Sequence, residues 1–250
     1  MLKKYFSISL ASLLGLLLVT VFYGCKKNTV SKPPIETPLP PAPVTDVDGN
    51  IYPTVKIGNQ VWMAKPLRVT HYNDSTPIAH IVTKAAWTAN TTMPARCYYG
   101  KDTAKTGDSD SAAYAFTYGA LYNWAAVNTK KLAPLGYHIP DSNEYKILIT
   151  YLEGASIAGQ FLKSALYWTK DSDTNYLSRN KTGFTAIPSG YRAPSGDFFT
   201  FGTRSFFWLS TQNPNNSTQS YAWQLTDLNA LVVRTSLNQL LACSVVCIKD

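Results

Sequence analysis

Polar and apolar positions alternate from residue 51 to residue 57: Ile51, Pro53, Val55 and Ile57 lie on one side, Tyr52, Thr54 and Lys56 on the other. A period of two is the pattern of a strand with one face buried. Gly58-Asn59 then turns the chain and Gln60-Val61-Trp62-Met63 returns, which predicts a β-hairpin. The preceding Asp46-Val47-Asp48-Gly49-Asn50 reads as a turn. A calcium-binding EF-hand needs Gly at its sixth place and Glu at its twelfth, where Ile51 and Ile57 stand. Further on the period lengthens. Tyr118, Leu121, Tyr122 and Ala125 recur along one helical face and predict a first helix over about residues 118–125. Asp141-Ser142-Asn143-Glu144 has the form of a capping box, followed by the stripe Tyr145, Leu148, Ile149 and Leu152 and by Gly154 as a stop, which predicts a second. A shorter helical stretch covers 156–165. The last third changes again: 183–187, 205–210, 220–226, 231–235 and 244–248 are short, aromatic or β-branched, and separated by Gly, Asn, Pro and Ser, so they read as antiparallel strands. Helices early and strands late predict an α+β fold.

Composition adds a compartment. Hydrophobic residues make up 45% of the 250 and charged ones 15%, enough apolar mass for a core and too little charge for disorder. Thirteen per cent aromatic residues, with 16 Tyr, suit an exported β-rich protein. Lys3 and Lys4 precede a stretch, 5–24, without a single charge, the form of an export segment. It ends in Phe22-Tyr23-Gly24-Cys25, which resembles a bacterial lipobox. That resemblance implies cleavage before Cys25 and acylation of its thiol, although Phe22 and Tyr23 replace the more usual Leu and small residue. An uncleaved membrane helix of the same length is the alternative. Prolines 33, 34, 38, 40, 41 and 43 follow. At that density the chain favours extended polyproline II and serves as a tether of about 30 Å. The expected organisation is thus a signal peptide (1–24), a tether (25–43) and one domain (44–250). Setting aside Lys3, Lys4, Lys26, Lys27, Lys32 and Glu36 reduces the net charge from +8 to +4, too small and dispersed for nucleic acid.

The residues suggest no catalytic centre or cofactor. His71, His80 and His138 stand far apart, none with a partner at metal-ligand spacing, so no metal site is expected. His138 is expected to pack beside the second helix. Asp102, Asp108 and Asp110 lie in a polar insertion read as a solvated loop, and no Gly-x-Ser-x-Gly elbow occurs. If Cys25 carries lipid, three cysteines remain, of which two should pair in an oxidising envelope. Cys243 and Cys247 are about 13 Å apart along a strand, too far to bond, which leaves Cys97 as the partner of either. The loop 189–204 carries Tyr191, Arg192, Phe198, Phe199, Phe201 and Arg204 between Gly190, Gly196 and Gly202. Aromatic rings there can stack on a sugar or fill a partner's pocket, and Arg adds forked donors. The same rings can instead pack the loop onto Trp208 and Trp223. Asn213 and Asn215, in Gln212-Asn213-Pro214-Asn215, resemble part of the Glu-Pro-Asn tripeptide of calcium-dependent lectins, without its leading carboxylate. Trp62, Trp124, Trp168, Trp208 and Trp223 are expected in the core.

Seven segments occur together in order: Asp48-Gly49-Asn50; the run from Val55 through Trp62 to Ala64; Tyr118-Gly119-Ala120-Leu121-Tyr122-Asn123-Trp124; Leu132 through His138 to Pro140; Gly183-Phe184; Ser189-Gly190-Tyr191-Arg192; and the closing Ser244 through Cys247 to Asp250. In this combination the chain resembles the Fibrobacter succinogenes major paralogous domain family. The resemblance implies an exported, often lipid-anchored protein of Bacteroidetes-type bacteria, without a settled activity. It also implies a C-type-lectin-like fold related to formylglycine-generating enzymes: two main helices, a small twisted antiparallel sheet and long irregular loops. In that pattern the last strand is stapled to the body, which favours Cys97–Cys247. The functional expectation is a non-enzymatic outer-membrane lipoprotein, held to the membrane by its lipid, that binds a glycan or a surface protein. The candidate ligand residues are Tyr191, Arg192, Phe198, Phe199, Arg204, Asn213 and Asn215. The alternatives are a structural subunit of a surface assembly, expected to expose an open edge strand, and a formylglycine-generating-like enzyme with a cysteine pair facing a cleft.

Overall fold

A computed structural model of the chain describes residues 40–100, 109–169 and 180–250. The export segment, Cys25, most of the tether, Asp102 and Asp108 lie outside the described residues. Strand β1 (Val44–Thr45) pairs with β2 (Ile51–Tyr52) across a turn that Asp46 builds. One carboxylate oxygen of Asp46 accepts the Asp48 and Asn50 N–H groups, and the other accepts the Tyr52 hydroxyl at 2.6 Å. Strands β3 (Thr54–Ile57) and β4 (Gln60–Met63) form the expected hairpin over Gly58-Asn59, with Val55 opposite Trp62. Gly58 has φ +61°, the left-handed conformation that such a turn requires.

Strand β5 (Ala79–His80) leads through helix α1 (Lys84–Ala89), capped by the Thr83 hydroxyl, to the parallel strand β6 (Ala95–Cys97). Helix α2 (Ser109–Tyr118), strand β7 (Leu121–Asn123) and helix α3 (Trp124–Asn128) follow. Strand β8 (Tyr137–His138) precedes helix α4 (Ser142–Tyr151), whose Asp141/Glu144 capping box is complete, and helix α5 (Ala158–Leu162) is one turn. Strands β9 (Tyr191–Arg192), β10 (Phe198–Phe199), β11 (Arg204–Gln212), β12 (Gln219–Thr226), β13 (Val233–Asn238), β14 (Ala242–Cys243) and β15 (Ile248–Lys249) complete the chain.

The strands form four sheets: β1-β2, β10-β9-β14-β7-β6-β5, β11-β12-β13 and β3-β4-β15-β8. The expected architecture of two main helices on one small sheet is therefore corrected. The chain is mostly β, and none of its described helices exceeds ten residues. The reason is local to Gly119. It takes φ +76°, and a Cβ there would stand 2.6 Å from Pro66 and 2.8 Å from the Leu67 carbonyl. This close approach ends α2 at Tyr118. Leu121 and Tyr122 then enter the six-stranded sheet between β6 and β14. The spacing of Tyr118, Leu121, Tyr122 and Ala125 thus runs across three elements rather than along one. Asp110, expected in a loop, falls in α2. Residues 183–187 make one isolated bridge, Lys163 to Ala186, instead of a strand, and residues 244–247 separate two short strands.

Residues 39–250 make one compact unit. Its main core is aromatic: Phe184 lies 6.0 Å from Trp62 and 5.4 Å from Trp223, and Phe207 stacks 4.8 Å from Trp223. Trp62, Trp208 and Trp223 are fully buried, Trp124 nearly so, and Trp168 partly. A smaller cluster of Ile81, Trp87, Ala95, Cys97, Leu121 and Ala242 lies on the other face of the six-stranded sheet. Alternation along β7 separates the two: Leu121 faces the small cluster and Tyr122 the main core.

Candidate functional site

Loop 189–204 divides into a buried half and an exposed half. Arg192 has no exposed surface. Its guanidinium donates to the carbonyls of Ile81 (2.8 Å), Gly196 (3.0 Å) and Val82 (3.0 Å) and lies against the Trp87 and Phe198 rings. Its donors are spent on anchoring the loop to residues 81–82, so Arg192 is not a ligand-binding group. Tyr191 is half-buried, stacked on Phe199 at 5.6 Å and edge-on to Phe206 at 5.3 Å. Phe198 packs on Tyr99 at 5.0 Å. Phe199, Phe201 and Arg204 reach solvent.

Asn213 and Asn215 belong elsewhere. They form the turn between β11 and β12, where Asn213 donates to Ser236 at 2.8 Å and accepts the Asn215 N–H at 3.0 Å. Arg204 and Gln212 stand at the two ends of a nine-residue strand. At ~3.3 Å per residue the loop and the turn are about 25 Å apart. The expectation of one shared surface is corrected accordingly.

The structure assembles a different surface around Phe201. Tyr99 and Tyr118 each lie 4.9 Å from its ring, Tyr118 stacks on Tyr114 at 4.7 Å, and Tyr167 meets Tyr118 edge-on at 5.5 Å. Phe116 (57%), Tyr167 (48%) and Phe201 (39%) are substantially exposed, and Leu166 beside them more so (66%). Backbone contacts hold this belt in place. Thr169 N–H donates to the Gly202 carbonyl and Gly202 N–H to that of Pro188, while a Cβ on Gly190 would come 2.4 Å from the Phe199 carbonyl. Gly202, where a Cβ would come 2.5 Å from the Thr169 hydroxyl, lets the loops bearing Tyr167 and Phe201 meet, and Gly190 lets its loop fold back on Phe199.

Next to the belt opens a cleft of about 320 Å³, lined by Lys65, Phe116, Thr117, Ser164, Leu166 and Tyr167 among others. The Lys65 ammonium lies 4.3 Å from the Phe116 ring centre, and Arg68 approaches the same ring at 5.0 Å. Among the described residues that line it, none is acidic. Burial raises the pKa of Tyr114 and of Tyr118, so both phenols stay protonated near neutrality. The Tyr114 hydroxyl is shielded from solvent and has no hydrogen-bond partner among the described residues. Ring faces, neutral phenols and one ammonium suit the binding of a polar ring. Lys65, Tyr99, Tyr114, Phe116, Leu166 and Tyr167 are not among the candidates expected from the sequence. The density of aromatics at Tyr98-Tyr99 and from Tyr114 to Tyr118 was the available signal.

The histidines are engaged in pairs. His71 Nδ1 meets Asp48 at 2.6 Å. Partial burial would raise the Asp48 pKa, but bonds from Thr70 and His71 outweigh it and the net shift is downward. His138 bonds Glu144 through Nε2 and Asp250 through Nδ1, each at 2.7 Å, and so ties the chain end to the start of α4. Burial opposes its charge, yet the two carboxylates raise its pKa. The three described cysteines are all buried. Cys97 lies in the small cluster and Cys243 in the main core, on opposite faces of the sheet, and Cys247 carries a thiol in the main core. The expected Cys97–Cys247 bond is not formed here, and no two of these cysteines share an exposed cleft.

No curated protein and no solved structure matches the chain. The family model of the Fibrobacter succinogenes major domain matches residues 55–249, which include the aromatic belt, the smaller hydrophobic cluster and nearly all of the main core. The seven ordered segments and this match agree, and the chain belongs to the Fibrobacter succinogenes major domain family.

Proposed function

We propose that the chain is an exported, lipid-anchored protein of the bacterial cell envelope, without catalytic activity, whose domain binds a glycan at the Tyr118–Tyr167–Phe201 belt and the adjoining cleft. One observation carries this reading: exposed aromatic rings from three separate segments are contiguous beside a cleft whose described lining contains an ammonium and no carboxylate. Sugar rings present C–H faces that stack on such aromatics, and Lys65 favours a glycan with an anionic substituent. The anchor rests on Lys3, Lys4, the uncharged stretch and Gly24-Cys25.

The test is a glycan array probed with the 39–250 unit, with calcium and with chelator. Binding to acidic glycans in both conditions, lost on Tyr167→Ala and on Phe201→Ala by about tenfold each, is the expected result. Unchanged binding by both variants would remove the belt from consideration. For the anchor, radiolabelled palmitate should enter the wild type and not Cys25→Ala. A second reading, a subunit of a surface assembly, is favoured by the open edge of β13.

A further inference from the structure

Strand β13 pairs with β12 along its whole length and, among the described residues, has no strand on its other side. The opposite margin of the same sheet is closed. Trp208 N–H donates to the Ser244 carbonyl and Ser244 N–H to that of Phe206, so β11 is covered by the segment after β14. The direction of the backbone groups on β13 follows from the ladder. Gln239 N–H donates to Thr218 O, which makes this a hydrogen-bonded pair. In an antiparallel ladder such pairs alternate, so Val233, Thr235 and Leu237 bond β12. Arg234 and Ser236 then point their N–H and C=O groups outward. Val232 has the same outward parity, and its N–H is taken by the Ala155 carbonyl at 2.8 Å. Among the described residues no backbone bond reaches the outward groups of Arg234 and Ser236.

Natural edge strands are guarded by prolines, bulges or inward-pointing charges. β13 has no proline, its register with β12 is unbroken, and its one charge lies over the sheet, with the Arg234 guanidinium 4.5 Å from the Tyr221 ring centre. Beside this edge runs a groove of about 560 Å³ between α4 and β13, lined by Tyr145, Lys146, Ile149, Val232 and Arg234 among others. Among the described residues, its charged lining groups are Lys146 and Arg234, both cationic.

We propose that the β13 edge is a docking site for an extended polypeptide segment of a partner protein that carries a carboxylate side chain. The segment adds antiparallel to β13, exchanges two backbone bonds with Arg234 and two with Ser236, and places an Asp or Glu over the groove between Lys146 and Arg234. The unused backbone groups require a strand, and the two cations require an acid. This site lies on a different element from the aromatic belt and does not depend on the glycan reading.

The probe is the acetylated, amidated peptide Thr-Val-Glu-Val-Thr, with Gln replacing Glu as its control, titrated into the isotope-labelled 39–250 unit. The amides of Arg234 and Ser236 should exchange fast in the free protein, then shift and become protected with the Glu peptide, which should bind about fivefold more tightly than the Gln peptide. Ser236→Pro removes only an outward N–H from the backbone pattern and should abolish the shifts. Since it also removes the Ser236 hydroxyl from Asn213 and Gln219, Arg234→Glu serves as a second variant, which should reverse the preference toward a Lys-bearing peptide. Arg234 and Ser236 amides already protected in dilute protein would overturn the proposal, as would peptide shifts confined to other strands. Protection that rises with protein concentration alone would overturn it in favour of a second copy of the chain.

Discussion

Two groups of aromatic side chains have nearly the same mutual geometry and opposite circumstances. In the core, Phe184, Phe207 and Trp223 meet at 4.8–6.4 Å, and none retains more than a trace of exposed surface. On the belt, Tyr99, Tyr114, Tyr118, Tyr167 and Phe201 meet at 4.7–6.0 Å, yet the outer rings remain about two-fifths to one-half exposed. Stacking alone therefore does not separate a packing cluster from a binding surface. The share of each ring left to water does, because that share is the area a ligand can still remove from it.

Substitutions sharpen the contrast. Trp223→Ala should cost about 4 kcal/mol in denaturant unfolding, because a fully buried indole leaves a cavity that its neighbours cannot fill. Arg192→Leu should cost about 3 kcal/mol, since the Ile81, Val82 and Gly196 carbonyls lose their donors in a buried site. Phe201→Ala on the belt should cost only about 1 kcal/mol of stability while weakening glycan binding roughly tenfold. Equal stability losses for Phe201→Ala and Trp223→Ala would erase the distinction between belt and core.

The smallest effect concerns His138. Its folded-state pKa is raised above the ordinary 6.5 by the Asp250 and Glu144 carboxylates, against the opposing effect of burial. A raised cationic group contributes fully below its unfolded pKa and loses that contribution as pH rises through the folded value. Thermal stability should therefore fall slightly from pH 6 upward, and this slope should flatten in His138→Gln. With 43% of the His138 side chain exposed the pair is screened, so added salt should shrink the slope as well. A slope of opposite sign would show that the clasp does not hold the imidazolium.

Much of the frame was legible along the chain, and the misses have identifiable causes. The Thr54–Met63 hairpin and the Asp141/Glu144 box rest on contacts within a few residues and stand as read, whereas Ile51-Tyr52, read into the same strand, pair with Val44-Thr45 instead. The helix over 118–125 failed because Gly119 is required by Pro66 and Leu67, more than fifty positions earlier. Arg192 looked like a surface donor because it lies among glycines and aromatics, and only Ile81 and Val82, over a hundred residues away, explain it. The disulfide expectation favoured Cys97–Cys247, and the fold holds these two thiols in separate hydrophobic clusters. Residue parity on β6 and β14 puts Cys97 and Cys243 on opposite faces of one sheet.

What the sequence determined by itself is family membership, an apolar core with its tryptophans inside, the capped helix and the turns, all of which depend on local backbone preference or on summed hydrophobicity. Tertiary structure alone decided that the chain is mostly β, that Phe201 meets Tyr118 and Tyr167, and that the β13 edge stays open beside two cations. Those outcomes come from contacts between segments tens of residues apart. No periodicity within a window encodes which distant strand, ring or carbonyl will fill the space beside a given residue.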